Sequence, residues 1–220
     1  SFLKGIPAAE TEALYLLGDI WDFWYEYRDV VPRSGARVVA ALISLMDAGV
    51  EVWFCTGNHD IWTYSYFESL GMRRFDQPFH VTLDGCRFCL GHGDGLGPGN
   101  GWYKFMNRMF RSRVLQTLFS TLHPWIAFRL GYGWSKRSRL SRGEKYEFKG
   151  TDEPLAKFAE EFSRTLHVDY FIFGHYHSKA DLTLPGGARL LVMSDWIDGP
   201  DYLYFDGTSV RCGISPKMEK

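Results

Sequence analysis

The sequence has no apolar run approaching the ~20 residues that cross a bilayer as a helix, which excludes a helical membrane span, and nothing in it resembles a signal peptide. It is poor in cysteine. Cys55, Cys86, Cys89 and Cys212 have no framework spacing, so a disulfide scaffold is excluded and a reducing, cytosolic compartment is expected. The pair Cys86-x-x-Cys89 has no second pair to complete a zinc site. On a strand its members point to opposite faces, so core packing is the expectation there. A formal net charge of -1 excludes any argument from overall charge to a polyanionic partner. Repeats and low-complexity tracts are absent, and the apolar and charged fractions of 45% and 23% exclude a disordered chain.

Charge is nevertheless unevenly spread. Residues 102–150 hold eleven Lys and Arg against Glu144 and Glu147, a local charge of +9 that leaves -10 elsewhere. Helical patterning rich in Arg, Phe, Leu and Trp fills 102–140, with breaks expected near His123-Pro124 and near Gly131 to Gly133. The simplest organisation is one domain, 1–220, with a basic, aromatic helical insertion, 102–150, as a cap. Before it, a short apolar strand Ala13 to Leu17 precedes an aromatic loop (Trp21, Phe23, Trp24, Tyr25, Tyr27) that is either a packed lid or a binding wall. Ser34 is expected to cap a helix running to Asp47 and stopped by Gly49. A strand Val50 to Cys55 then closes a βαβ unit, a helical stretch Tyr64 to Leu70 follows, and Asp84-Gly85 marks a hairpin between Phe79 to Leu83 and Arg87 to Leu90. After the insertion come a helix begun by Thr151 or Asp152 and running to about Leu166, a buried strand Val168 to Phe173, and a succession of short strands. This order is that of an α/β layered fold with a late antiparallel portion.

Four apolar strands stop at a glycine followed by a residue able to ligate metal: Leu17-Gly18-Asp19, Thr56-Gly57-Asn58-His59-Asp60, Leu90-Gly91-His92-Gly93-Asp94 and Phe173-Gly174-His175-Tyr176-His177. Singly, each is an ordinary turn or a hydrogen-bonded histidine. Together they share one register at the C-terminal ends of strands, where α/β sheets bind ligands. Oxygen and imidazole donors without thiolate suit Mn2+, Fe2+ or Zn2+. Paired cations of that kind stabilise both the attacking and the leaving oxygens of a phosphoryl displacement, so metal-assisted phosphoester hydrolysis is the reaction expected. If the segment after Gly174 is extended, His175 and His177 face the same side and both reach one cluster.

The motifs GD (Gly18-Asp19), GNHD (Gly57 to Asp60), GHGD (Gly91 to Asp94) and GHYH (Gly174 to His177) resemble those of the calcineurin-like metallophosphoesterases. The stretches LYLLGDIWDFWYEYRDVVP, GVEVWFCTGNHDIWTY, GHGDGLG, WSKRSRL, FIFGHYH and SDWI extend the resemblance to the UDP-2,3-diacylglucosamine pyrophosphatases of lipid A synthesis. The resemblance implies a layered α/β sandwich with a helical cap and two divalent cations, manganese foremost. It implies Asp19 as the bridging ligand, Asn58, His92 and His175 on one ion and His177 on the other. His59, held by Asp60, would stabilise the transition state or protonate the leaving group, and Asp94 would support His92 from behind. Asn58, His59, Asn100, Ser135, Arg139 and Arg142 fall where substrate contacts are expected.

The chain departs from the family at one place. Its first motif, Asp-x-His at the end of the first strand, has no counterpart in residues 1–12, so the sequence reads as one lacking its first strand and half of one metal site. The implied activity is hydrolysis of UDP-2,3-diacylglucosamine to UMP and 2,3-diacylglucosamine 1-phosphate. The implied setting is peripheral, against the anionic cytoplasmic face of the bacterial inner membrane. Competing readings are another phosphoesterase of the same metal chemistry acting on nucleotides or nucleic acid, and a non-catalytic lipid-binding remnant. The long apolar runs beside the basic residues favour acyl chains over nucleic acid, and no nucleic-acid partner is expected.

Overall fold

The structure, a computed structural model, describes residues 2–99, 101–141, 146–196 and 201–214, with the side chains of 138–141 and 214 left aside. The chain divides into two compact units, Ser1–Phe75 with Gly101–Gly143, and Asp76–Asn100 with Glu144–Lys220.

In the first unit, strand β1 (Ala13–Leu16) leads through helix α1 (Ala36–Asp47) to strand β2 (Glu51–Phe54), parallel to β1 with Leu16 opposite Phe54. This is the expected βαβ unit. A helix α2 (Tyr66–Ser69) of one turn then leads to a third parallel strand, β3 (Arg73–Arg74), too short to carry a sequence signal. Helix α1 starts one residue later than expected. A 3-10 turn over Arg33–Gly35 precedes it, and the Ser34 hydroxyl, rather than capping the helix, shares a hydrogen bond of 2.9 Å with the Tyr132 hydroxyl. At its other end Gly49 takes the left-handed conformation (φ 96°) that stops a helix at little steric cost.

Aromatic packing dominates this unit. Trp21, Phe23, Trp24 and Tyr25 are buried, which decides for a packed loop over a binding wall. Trp21 stacks on Phe67 at 4.6 Å, and both join Val39, Leu42, Val52 and Phe54 in the core. Beneath them Glu26, also buried, accepts the Trp24 indole N–H and the backbone N–H groups of Tyr64, Ser65 and Tyr66, satisfying donors that open helix α2. The same loop holds the inserted helices α3 (Gly101–Phe110), α4 (Arg113–Ser120) and α5 (Pro124–Ser141). The Tyr25 hydroxyl donates to the Gln116 carbonyl at 2.7 Å, and that of Tyr27 to the Leu122 carbonyl at 3.0 Å.

The break expected before Pro124 is present, but the one expected at Gly131 to Gly133 is not, for α5 runs straight through. Gly131 serves close approach there, since a Cβ on it would lie 2.3 Å from the Phe23 ring. A glycine in a helix interior costs roughly 1 kcal/mol against alanine, and seating a phenylalanine ring at this point offsets it.

In the second unit, strands β4 (Phe79–Leu83) and β5 (Cys86–Gly91) form the expected hairpin, with the turn at Asp84-Gly85. Helix α6 (Pro154–Ser163) follows. It begins later than expected. Thr151 and Asp152 belong to a 3-10 turn, Pro154 sits at the first helical position, and the buried Glu153 carboxylate accepts the Lys149 N–H and the Tyr146 hydroxyl. Then come strands β6 (Tyr170–Phe173), β7 (Ala180–Thr183) and β8 (Arg189–Val192), followed by a separate antiparallel hairpin of β9 (Asp201–Phe205) and β10 (Val210–Ile214).

The five-stranded sheet runs β4-β5-β6-β8-β7, with β5, β6 and β8 parallel and an antiparallel strand at each edge. Central strands buried on both faces need near-continuous apolar sequence, and Tyr170–Phe173 and Arg189–Val192 supply it. Leu155, Ala156 and Ala159 of α6 pack on Phe171, Phe173, Leu190 and Val192. Cys89 is fully buried, as expected, and burial pushes its thiol up to about 12.

Candidate metal and phosphoester site

Each unit carries part of the expected site at the ends of parallel strands. In the first, the chain leaving β1 turns at Gly18 and Asp19, the latter left-handed at φ 51°. The chain leaving β2 turns at Gly57, and the two loops are stitched reciprocally. Asp60 accepts the backbone N–H groups of Asp19 (3.2 Å), Ile20 (2.8 Å) and Gly57 (2.6 Å), and Asp19 Oδ1 accepts the His59 N–H at 2.8 Å. Only glycine fits at position 57, since a Cβ would meet Asp19 Oδ1 at 2.2 Å and its backbone nitrogen at 2.5 Å. Asn58 and His59 are half-buried above this knot.

Asp60 therefore does not do what was expected of it. Its buried carboxylate orders two backbone turns, while His59 Nδ1 stands 3.0 Å from the Asp22 carbonyl. A carbonyl only accepts, so Nδ1 carries the proton and Nε2 is the nitrogen left for chemistry.

In the second unit, β5 and β6 are adjacent and parallel, with Gly91 opposite Phe173, so His92 and His175 follow at neighbouring strand ends. His92 is fully buried, and its Nε2 lies 3.2 Å from His175 Nδ1. His175 and His177 are left-handed (φ 68° and 51°), a conformation costly for residues with a Cβ and concentrated at functional sites. The segment is therefore not extended as expected; His175 meets His92, and His177 Nδ1 meets Asp195 Oδ2 at 3.3 Å. Between them Tyr176 packs against Phe148, and burial together with the Glu153 charge pushes its phenol up to about 12.

Two residues that sequence reasoning missed support these histidines. Gln77 spans the loop after β5. Its Oε1 accepts the Gly93 N–H at 2.6 Å, and its Nε2 donates to the Asp94 carbonyl (2.9 Å) and carboxylate (2.7 Å). Asp94 thus supports the loop through Gln77. Asp195 lies in the SDWI stretch already noted for its resemblance, but nothing local links it to His177.

Of the expected substrate contacts, Ser135 is a buried residue of α5 whose hydroxyl oxygen meets no hydrogen-bond partner among the described residues. Asn100, Arg142 and the side chain of Arg139 lie outside the described residues. Also among the described residues, no three His, Cys, Asp or Glu side chains converge as a ready-made ion cage, and no helix is long and apolar enough to cross a membrane. The donor set nonetheless suits a divalent ion. It consists of imidazole and carboxylate groups on strand-end turns, two of whose glycines, Gly57 and Gly91, leave no room for a Cβ.

The frame is mixed α/β, its parallel strands end in Gly followed by Asp, Asn or His, and the curated relatives of the chain are hydrolases. No family model matches the chain. The UDP-2,3-diacylglucosamine hydrolase of Porphyromonas gingivalis is 37% identical over 226 residues, covering 96% of this chain and 86% of that protein. Proteins of the same name from Neisseria meningitidis serogroup A and Xanthomonas axonopodis pv. citri are 30% and 31% identical, over 89% of this chain and 80% and 83% of their own lengths. The chain belongs to the UDP-2,3-diacylglucosamine hydrolase family. Among solved structures, zinc-complexed Vps29 from Entamoeba histolytica aligns over 91% of this chain and 96% of that one, with a TM-score of 0.35 and 12% identity, too distant a likeness to argue from.

Proposed function

We propose that this chain hydrolyses the diphosphate of UDP-2,3-diacylglucosamine to UMP and 2,3-diacylglucosamine 1-phosphate, with divalent cations held by Asp19, Asn58, His92, His175 and His177. The observation that carries the reading is the His92–His175 imidazole pair, 3.2 Å apart at the ends of adjacent parallel strands, in a chain of this family. When bound, the cations, manganese foremost, would polarise the diphosphate and stabilise the attacking and leaving oxygens. As the imidazolium, His59 serves as the proton donor to the leaving oxygen through Nε2–H, because its Nδ1–H is committed to the Asp22 carbonyl. Asp60 holds His59 only indirectly, by fixing the turns on either side of it.

The inserted helices take the lipid. Trp102, Val114, Leu118, Trp125 and Trp134 are all at least 60% exposed, an apolar area that needs a cover. Basic residues stand among them, including Arg129 over the Trp125 ring at 5.5 Å. That combination suits acyl chains and an anionic membrane surface, and it supports a peripheral membrane location on the cytoplasmic face.

The test is 31P NMR of UDP-2,3-diacylglucosamine with the purified chain and Mn2+. Conversion to UMP and the lipid phosphate is expected, falling at least ~100-fold in His59→Ala. An unchanged substrate spectrum with Mn2+, Fe2+ and Zn2+ each supplied in turn would refute the proposal.

A further inference from the structure

A neutral imidazole binds a metal through one ring nitrogen, and the proton on the other decides which. Metal-binding histidines therefore generally donate that second N–H to a carboxylate or carbonyl, which fixes both tautomer and ring plane. His177 has such a partner. Strands β6 and β8 are parallel neighbours, with Phe173 opposite Val192, so the turn after β6 and the segment after β8 emerge side by side. Asp195 Oδ2 then lies 3.3 Å from His177 Nδ1. The carboxylate accepts, so Nδ1 carries the proton and Nε2 keeps its lone pair.

The chain on both sides of this pair is anchored to one residue. Lys179, two positions after His177, makes an ion pair with Asp201 Oδ2 at 3.2 Å, and Ser194, just before Asp195, donates to Asp201 Oδ1 at 3.1 Å. Asp201 is itself buried. One carboxylate at the start of β9 thus ties together the segments that present the imidazole and its acceptor. A ligand held to within about 0.5 Å needs such locked support.

We propose that Asp195 is a positioning residue, holding His177 as the Nδ1–H tautomer with Nε2 turned toward a divalent cation. The inference deepens the metal-dependent reading above and rests on it for the identity of the ligand. No covalent step is involved. Asp195 touches neither substrate nor reacting atoms and acts only through His177.

The test compares Asp195→Asn, which keeps an acceptor for Nδ1–H, with Asp195→Ala, which removes it. In metal-free protein above the imidazole titration range, long-range 1H–15N NMR reports the His177 tautomer. Wild type is expected to show Nδ1–H, Asp195→Asn the same form in the majority, and Asp195→Ala a shift toward Nε2–H. Calorimetric titration with Mn2+ is expected to show one binding event weakened about 10- to 100-fold in Asp195→Ala, with Asp195→Asn intermediate. An unchanged tautomer together with an unchanged isotherm in both variants would overturn the proposal. If wild type binds no divalent ion, the metal-dependent reading fails, and the tautomer spectra still decide what Asp195 does. If Asp195→Ala fails to fold, the Asp195→Asn isotherm decides, wild-type affinity counting against the role.

Discussion

Replacing Gln77 with leucine removes an amide that serves three hydrogen bonds while keeping a side chain of similar size. In the native loop Oε1 accepts the Gly93 N–H at 2.6 Å, and Nε2 reaches both the carbonyl and the carboxylate of Asp94 at 2.9 and 2.7 Å. Gly93 and Asp94 are buried, so water does not replace what leucine takes away. An unsatisfied buried group costs about 1–3 kcal/mol, and with one donor and two acceptor groups at stake the low end of that range puts the loss near ~3 kcal/mol. For a chain of this size that lowers the melting temperature by about 6–12 °C. The assay is calorimetric melting of metal-free protein, because a bound ion would raise the transition and mask the loss. The same loop presents His92, so hydrolysis is expected to fall about 10- to 100-fold as well. A Gln77→Leu protein melting within ~2 °C of wild type would refute the clamp.

Two further outcomes follow from packing and burial. Gly131→Ala places a Cβ about 2.3 Å from the Phe23 ring, so calorimetry is expected to show a loss of about 1–3 kcal/mol, largely restored when Phe23→Leu is added; a neutral Gly131→Ala would contradict the close approach. The Cys89 thiol, pushed up to about 12 by burial, stays protonated in the folded chain while the unfolded thiol ionises near its ordinary 9.0. Its stabilising contribution is therefore complete below pH ~9 and is lost as pH rises toward ~12. Urea midpoints measured across that window are expected to fall less steeply in Cys89→Val than in wild type.

Local signals were strong wherever one residue type answers one backbone demand. Gly49 ends a helix, Asp84-Gly85 turns a hairpin, and glycine before a ligand residue marks four strand ends, each readable within a few positions. The family resemblance drew on those same short motifs, which is why Asp19, Asn58, His92, His175 and His177 stand out in the sequence as one candidate set. Ser34 and the Gly131 to Gly133 stretch misled for the opposite reason. Their local preferences, to cap and to break, were overridden by Tyr132 and by the Phe23 ring, each about a hundred residues away in the chain.

The sequence by itself determined which residues are candidates for the chemistry and where the longer strands run, because apolar runs, glycine turns and imidazole spacing are properties of the chain. Only the tertiary structure decided what each polar group serves. Asp60 orders backbone turns because β1 and β2 are parallel neighbours, Gln77 clamps the His92 loop because β4 pairs with β5, and Asp195 meets His177 because β6 lies beside β8. Hydrogen bonds of that kind have no periodicity and no preferred spacing. They are set by which strands become neighbours, and that follows from burying the apolar faces of the whole sheet at once.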